Sequence, residues 1–129
     1  MLQHLEVMED ICQFHPRGEC SLVEAVELIS RAIAFCRDRQ IGKLFIDATA
    51  LTGMSIPSLV DRFLMVEEWA QEANSMVVVV LVVPAEYIHR EKFGVRVAAD
   101  FGLISDVYSS APDALKWLSS VAAPAQRLG

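Results

Sequence analysis

The chain has 129 residues, the size of one ordinary domain, and 53% of them are hydrophobic, which is sufficient for a substantial core. The net charge of −6 argues against nucleic acid as a partner, because phosphates require a basic surface. The longest apolar run, Met76 to Val83, is much shorter than the about 20 residues of a membrane helix, so we predict no membrane insertion.

The N-terminal residues and the cysteines together indicate the cellular compartment of the protein. Glu6, Glu9 and Asp10 lie where a secretory signal would have basic residues and then an apolar segment, so we expect no signal peptide. The cysteine count is odd, and no C-x-x-C motif is formed by Cys12, Cys20 and Cys36. We therefore predict free thiols and a cytoplasmic location, since thiols stay reduced there.

The chain begins with a predicted β-hairpin. In residues 2 to 16 apolar and polar side chains alternate, and Glu9-Asp10 offers a turn before the return strand from Ile11 to Phe14. Pro16 to Glu19 contain a proline and a glycine, so we expect this segment to end the hairpin.

The first helix has both a start and a stop signal. Ser21 and Glu24 have the spacing of a capping box, in which each side chain bonds the backbone N–H of the other residue. Apolar residues then recur at three- and four-residue steps up to Cys36, which predicts a helix with one buried face. Gly42 is the predicted C-terminal stop.

The central stretch, Lys43 to Ser58, reads as a strand, a polar loop and the start of a helix. Leu44 to Ile46 form a continuous apolar run, which suits a strand covered on both faces, and Asp47 ends it. Pro57 suits the first turn of the next helix. Because sites in open α/β sheets lie at the carboxyl ends of strands, we predict a binding loop formed by Asp47, Thr49, Thr52, Met54, Ser55 and Ser58.

The next helix is predicted from about Pro57 to Asn74, and Met76 to Val83 follow it as a strand. The strand is rich in β-branched residues and does not alternate, so we expect it to lie inside the sheet with helices on both sides. The helix is predicted to bury one stripe of side chains: Leu59, Phe63, Val66, Ala70 and Ala73.

The last third of the chain continues this alternation. A third helix is predicted from Glu86 to Asp100 and is closed by Gly102. Ile104 to Tyr108 form a short strand, and Ser110 with Asp113 repeats the capping signal for a last helix.

The order of elements predicts one α/β domain over residues 1–121, with a C-terminal tail over residues 122–129. Parallel strands require crossover connections, and the helices supply them. We therefore expect a mixed sheet of about five strands, with an antiparallel N-terminal hairpin, and about four helices.

Two stretches resemble the STAS domains, which include the anti-sigma-factor antagonists and the cytoplasmic tails of sulfate transporters. Gly18 to Val26 is similar to the Gly-x-Leu-Asp stretch that enters the family's first helix. Lys43 to Leu59 is similar to its strand–loop–helix segment, with Asp47 at the family's strand-ending aspartate. Phe93 to Ala98 is also similar to uncharacterised bacterial proteins of the same fold superfamily. The resemblance implies a STAS-like fold and a regulatory module that binds a protein partner.

The sequence departs from the antagonists at one place. They carry a phosphorylatable serine in an Asp-Ser-Ser-Gly-Leu stretch at the helix start, whereas this chain has Ser55-Ile-Pro-Ser-Leu59 there. Ile56 and Pro57 fall at the positions of the two serines. We therefore predict no phosphorylation switch, and we expect Ser55 to act as a helix cap.

Two kinds of chemistry are weighed and set aside. Cys12, His15 and Cys20 imitate the spacing of a zinc cluster, but residues three apart on a strand point to opposite faces, so we predict no metal. His89 follows one strand end and Asp47 another, but no catalytic or nucleotide-binding motif accompanies them. The sequence predicts neither an enzyme nor a cofactor.

Three basic residues cluster near the start of the third predicted helix. Arg90, Lys92 and Arg96 form a candidate basic patch, although a solvated helix face is the usual meaning of such a cluster.

Three functions remain open from the sequence. The first is the protein-interaction module that the resemblance implies. The second is a carrier of a small apolar ligand or lipid, as in the CRAL-TRIO domains that share this broad fold, because apolar residues are abundant. The third is an unrecognised enzyme. The apolar content also predicts a homodimer, since a small chain cannot hide all such surface.

Overall fold

The computed structural model describes residues 3–124, in which seven strands and four helices follow one another along the chain. The strands are β1 (Leu5–Met8), β2 (Ile11–Phe14), β3 (Arg17–Glu19), β4 (Lys43–Asp47), β5 (Ala50–Thr52), β6 (Val78–Val82) and β7 (Ser105–Tyr108). The helices are α1 (Leu22–Asp38), α2 (Leu59–Ala73), α3 (Phe93–Asp100) and α4 (Ala111–Ser120), with a 3₁₀ turn over Ala85–Tyr87.

The main sheet has five strands in the order β1-β2-β4-β6-β7. β1 and β2 pair antiparallel, and each further neighbour pairs parallel. The predicted mixed sheet with an N-terminal hairpin is thus confirmed. β6 lies between β4 and β7, so the prediction of an interior strand from its apolar run is confirmed.

Each face of the sheet has its own core, and the alternation of side chains along the strands separates them. Leu44 and Ile46 face α1, α2 and α3, whereas Phe45 faces α4. In β6, Val79 belongs to the first core and Val80 to the second. The central strands are therefore covered on both faces, which explains why they read as continuous apolar runs.

A second, two-stranded sheet joins β3 to β5 in parallel, and the sequence did not predict it. Residues 16–19 were expected only to end the hairpin, but Arg17 to Glu19 extend along Ala50 to Thr52. Each strand has three residues, too few for a periodic pattern, and its partner is distant in sequence. Tertiary pairing rather than local preference forms this sheet.

Two helix boundaries differ from the prediction. α1 ends at Asp38 with Arg39 as its C-cap, ahead of Gly42, because Gln40 adopts a left-handed conformation with φ of 59°. The predicted third helix is divided into the 3₁₀ turn and α3. Lys92, at φ of 51°, is incompatible with a continuous helix and marks the start of α3. Gly102 closes α3 as predicted, with φ of 87°.

The buried stripe of α2 was predicted only in part. Val66, Ala70 and Ala73 are buried as expected, and Trp69 joins them. Leu59 and Phe63, in contrast, are exposed. The buried residues of α2 begin at Val66, so one side of its first two turns stays open to solvent.

Thiol titration checks the predicted free cysteines. Cys12 and Cys36 are both buried, and interaction with the Cys12 thiol, together with burial, raises the pKa of Cys36. Burial and then Glu24 raise the pKa of the half-buried Cys20. We expect three thiols in unfolded, unreduced protein, and in native protein a reaction at Cys20 that quickens as pH rises. Finding a single thiol after unfolding would show a disulfide instead.

Candidate functional site

The loop after β4 starts with a tight polar turn. The Asp47 carboxylate accepts hydrogen bonds from the Thr49 backbone N–H at 3.0 Å and from the Thr49 hydroxyl at 2.6 Å. The Ala48 N–H donates to the Val82 carbonyl at 2.9 Å, so the first loop residue is still tied to the sheet. Asp47 and Thr49, both predicted loop residues, therefore stabilise the loop's own conformation.

β5 anchors the middle of the loop against the end of the hairpin. Leu51 is buried, while Thr52 stays exposed and its carbonyl accepts from the Cys20 N–H at 2.8 Å. Gly53 has φ of 89°, and a Cβ there would lie 3.2 Å from the Cys20 carbonyl oxygen. Glycine is thus required where the chain turns against its neighbour.

Met54 points inward rather than toward solvent. Its side chain packs against the main core, and its carbonyl accepts a hydrogen bond from the Tyr87 hydroxyl at 2.9 Å. Pro57 is also buried. The core and Tyr87 therefore hold this part of the loop in place. Met54 contributes to packing and does not form the exposed centre of a binding surface.

Ser58 caps α2, so the expectation that Ser55 would do so is wrong. The Ser58 hydroxyl accepts from the Asp61 N–H at 3.0 Å, and the Asp61 carboxylate accepts from the Ser58 N–H at 3.0 Å. This is a complete capping box. Ser55 is exposed and lies outside it, because Ile56 and Pro57 separate it from the helix.

The end of the loop and the first two turns of α2 expose a group of large apolar side chains. We call this group the apolar face, and it consists of Ile56, Leu59, Val60, Phe63 and Leu64. Leu64 is 55% exposed and Val60 is 66% exposed. The ring of Phe101 extends the surface, since it contacts Phe63 edge-on at 5.5 Å. Apolar residues gathered in this way on a protein surface mark an interaction site.

A groove continues the apolar face toward α1. It has a volume of about 250 Å³, and its apolar lining includes Val23, Val26 and Leu64. Three carboxylates lie along it, those of Glu27, Asp61 and Glu68, and none of the described residues that line it is basic. The groove therefore combines an apolar lining with negative charge.

Polar contacts between α1 and α2 fix the width of the groove. The Ser30 hydroxyl donates to the Glu68 carboxylate, and the Trp69 indole N–H donates to the Val26 carbonyl at 3.2 Å. Farther along, Arg37 donates to the Glu72 carbonyl at 2.7 Å. The two helices are thus held together along their length.

Of the three residues of the predicted basic patch, Arg90 and Arg96 are exposed, and Lys92 is partly buried. Lys92 contacts the Asp106 carboxylate at 2.7 Å and lies over the Tyr108 ring, and Arg96 pairs with Glu91 at 3.7 Å. Burial and the hydrogen bond to Asp106 raise the pKa of Tyr108 to about 12. Lys92 therefore serves mainly to attach the start of α3 to β7.

The residues considered for chemistry stay apart. His89 accepts a hydrogen bond from the Glu91 N–H at 3.1 Å, and within residues 3–124 no hydrogen bond joins it to Asp47 or Thr49. Cys12 belongs to the first core, whereas the His15 ring contacts Phe45 of the second. In the part of the chain that the structure describes, no group of at least three potential ligands is placed to hold a metal ion.

The fold and the sheet order define the class, a STAS-like α/β domain. A solved structure of the anti-sigma factor antagonist SpoIIAA in its unphosphorylated form matches with a TM-score of 0.50 and 17% identity, covering 91% of this chain and 97% of that one. The likeness extends over nearly the whole domain and concerns the fold. No protein-family model matches the sequence, and neither does any curated protein. No helix within residues 3–124 is long and apolar enough to cross a membrane.

Proposed function

We propose that the protein is a non-enzymatic regulatory module that binds a protein partner through the apolar face and the adjoining loop. The observation that carries the proposal is the exposure of four large apolar side chains on the capped start of α2, together with Ile56 of the preceding loop. Exposed apolar surface of this kind is costly in water and is relieved by burial against a partner. The SpoIIAA-like fold agrees with a regulatory role, and the free thiols agree with the cytoplasm.

The charge of the groove indicates the chemistry of the partner. Glu27, Asp61 and Glu68 accompany an apolar lining, so they complement a helix or loop with apolar contact residues flanked by lysine or arginine. A second copy of this chain would bring the same carboxylates to the same apolar face, and like charges would oppose one another. We therefore propose a different protein as the occupant. The predicted homodimer, which sedimentation would detect, would require another surface.

We further propose that binding is not switched by phosphorylation. A phosphate on Ser58 would bring about two negative charges next to Asp61, whose carboxylate accepts from the Ser58 N–H in the same capping box, and like-charge repulsion would oppose it. Ser55 lies outside the capping box and is separated from the helix start by Ile56 and Pro57.

Mass spectrometry of protein purified from its native host tests this directly. We expect neither Ser55 nor Ser58 to carry stoichiometric phosphate under conditions in which the partner is bound or released. Phosphate on either serine in step with partner release would contradict the proposal, while leaving the apolar face as the contact surface.

A further inference from the structure

Two cavities adjoin one another beneath α2, on the inner side of the helix. One has a volume of about 70 Å³ and extends toward α3 and β7. The other, of about 60 Å³, lies under the loop that precedes α2. The two cavities share four lining residues: Met65, Trp69, Leu81 and Val107.

The charged groups at the first cavity satisfy one another. Lys92 contacts Asp106 at 2.7 Å, and the same carboxylate accepts from the Val107 N–H at 2.8 Å and the Tyr108 hydroxyl at 2.9 Å. The walls are otherwise almost entirely apolar. A charged ligand would gain little here, whereas a hydrocarbon would contact apolar side chains.

The size and shape of the cavities indicate an elongated occupant. Protein interiors are normally packed as densely as organic crystals, so two unfilled apolar spaces side by side are unusual. An apolar cavity of about 150 Å³ is sufficient to hold benzene, and the two spaces together approach that size. Met65, at their junction, is flexible enough to let a chain pass from one space to the other.

We propose that the two cavities form one binding site for a short hydrocarbon chain, either free or as the tail of a larger amphiphile. The chain would lie between α2 and the sheet, with one end against Gly94 and the other against Met54 and Pro57. The inference does not depend on a protein partner, because it concerns the inner side of α2 and the apolar face lies on its outer side.

Trp69 provides a direct readout, since it lines both cavities. Trp117, the other tryptophan, packs against the core on the opposite face of the sheet. In the Trp117→Phe variant, all tryptophan fluorescence therefore comes from Trp69. Bromohexanol is a soluble alkyl chain with a heavy-atom quencher. We expect it to quench Trp69 fluorescence to saturation. A linear, unsaturable decrease, as free tryptophan in solution shows, would overturn the proposal.

Gly94 allows the site to be filled without strain. A Cβ there would lie 3.6 Å from Val66 Cγ1, an ordinary contact, so Gly94→Ala fits and Gly94→Val reaches further into the first cavity. We expect Gly94→Val to weaken bromohexanol binding about tenfold, with Gly94→Ala intermediate. Ala99→Val introduces a valine at an exposed position of α3, away from the cavity lining, and should leave bromohexanol binding unchanged.

If Gly94→Val does not fold, Gly94→Ala still tests the site, because its smaller side chain fits. Circular dichroism establishes which variants are native. Weaker binding by Gly94→Ala, with Ala99→Val equal to the parent, would support the site. Equal affinity in the parent and in every folded Gly94 variant would place the quencher elsewhere and overturn it.

Discussion

Val80→Asp is expected to abolish folding. Val80 is 0% exposed and lies in the middle of β6, paired with Phe45 of β4 and with Asp106 of β7. Its side chain packs in the core that α4 closes, where Ala114 and Leu118 are also fully buried. A carboxylate there would lose its hydration among apolar side chains, which costs several kcal/mol. The buried Lys43 ammonium on this face of the sheet already donates to the Leu118 carbonyl at 2.8 Å.

That cost is comparable with the whole stability of a domain, about 5–15 kcal/mol. Far-UV circular dichroism and urea denaturation of the purified variant measure the effect. Val60→Asp is the matched control, because it makes the same substitution at a position that is 66% exposed. We expect the control to unfold cooperatively. A cooperative transition of Val80→Asp near that of the parent would mean that β6 is not an interior strand.

The fold was predictable to the extent that local patterns determine it. The capping box of Ser21 and Glu24 located the start of α1 from the sequence, and the structure contains both of its hydrogen bonds. The apolar run around Val80 predicted an interior strand because burial on both faces removes alternation. The β3–β5 sheet lacked such a signal, since Arg17 to Glu19 contain nothing that indicates pairing with a distant segment.

The sequence predicted a binding loop, but it could not show which side chains in and beside that loop are exposed. The loop after Asp47 was predicted because binding sites in open α/β sheets lie at the carboxyl ends of strands. Leu59 and Phe63 were assigned to the buried stripe, since helical spacing shows only which residues share a face. Whether that face is covered depends on how α1 and α3 pack against α2. Met54 was expected to be exposed in the loop, but its side chain packs against the core and its carbonyl accepts from the Tyr87 hydroxyl. Nothing in the local sequence indicates these contacts.

Leu64→Lys is expected to eliminate partner binding while preserving the fold. Leu64 belongs to both the apolar face and the groove, so the substitution removes apolar contact and puts a positive charge where a basic partner docks. The new lysine lies four residues before Glu68, which is close enough on a helix for a favourable pairing. The free energy of unfolding should therefore change by less than about 0.5 kcal/mol.

Met8→Lys is the matched control for this substitution. Met8 is 54% exposed, against 55% for Leu64, but it lies at the hairpin on the edge of the sheet, away from α2. Both variants lose a large exposed apolar side chain and gain the same charge. A difference between them therefore reports the location of the surface and not a general change in charge or solubility.

The apolar face can be tested as the binding surface by co-purification from the native host. Parent, Leu64→Lys and Met8→Lys are each used to capture partners, which mass spectrometry identifies. We predict that a protein with a basic, apolar contact segment is recovered with the parent and with Met8→Lys, is lost with Leu64→Lys, and binds the parent more weakly as salt increases. Equal recovery of the same partner by Leu64→Lys and Met8→Lys would show that the apolar face of α2 is not the binding surface.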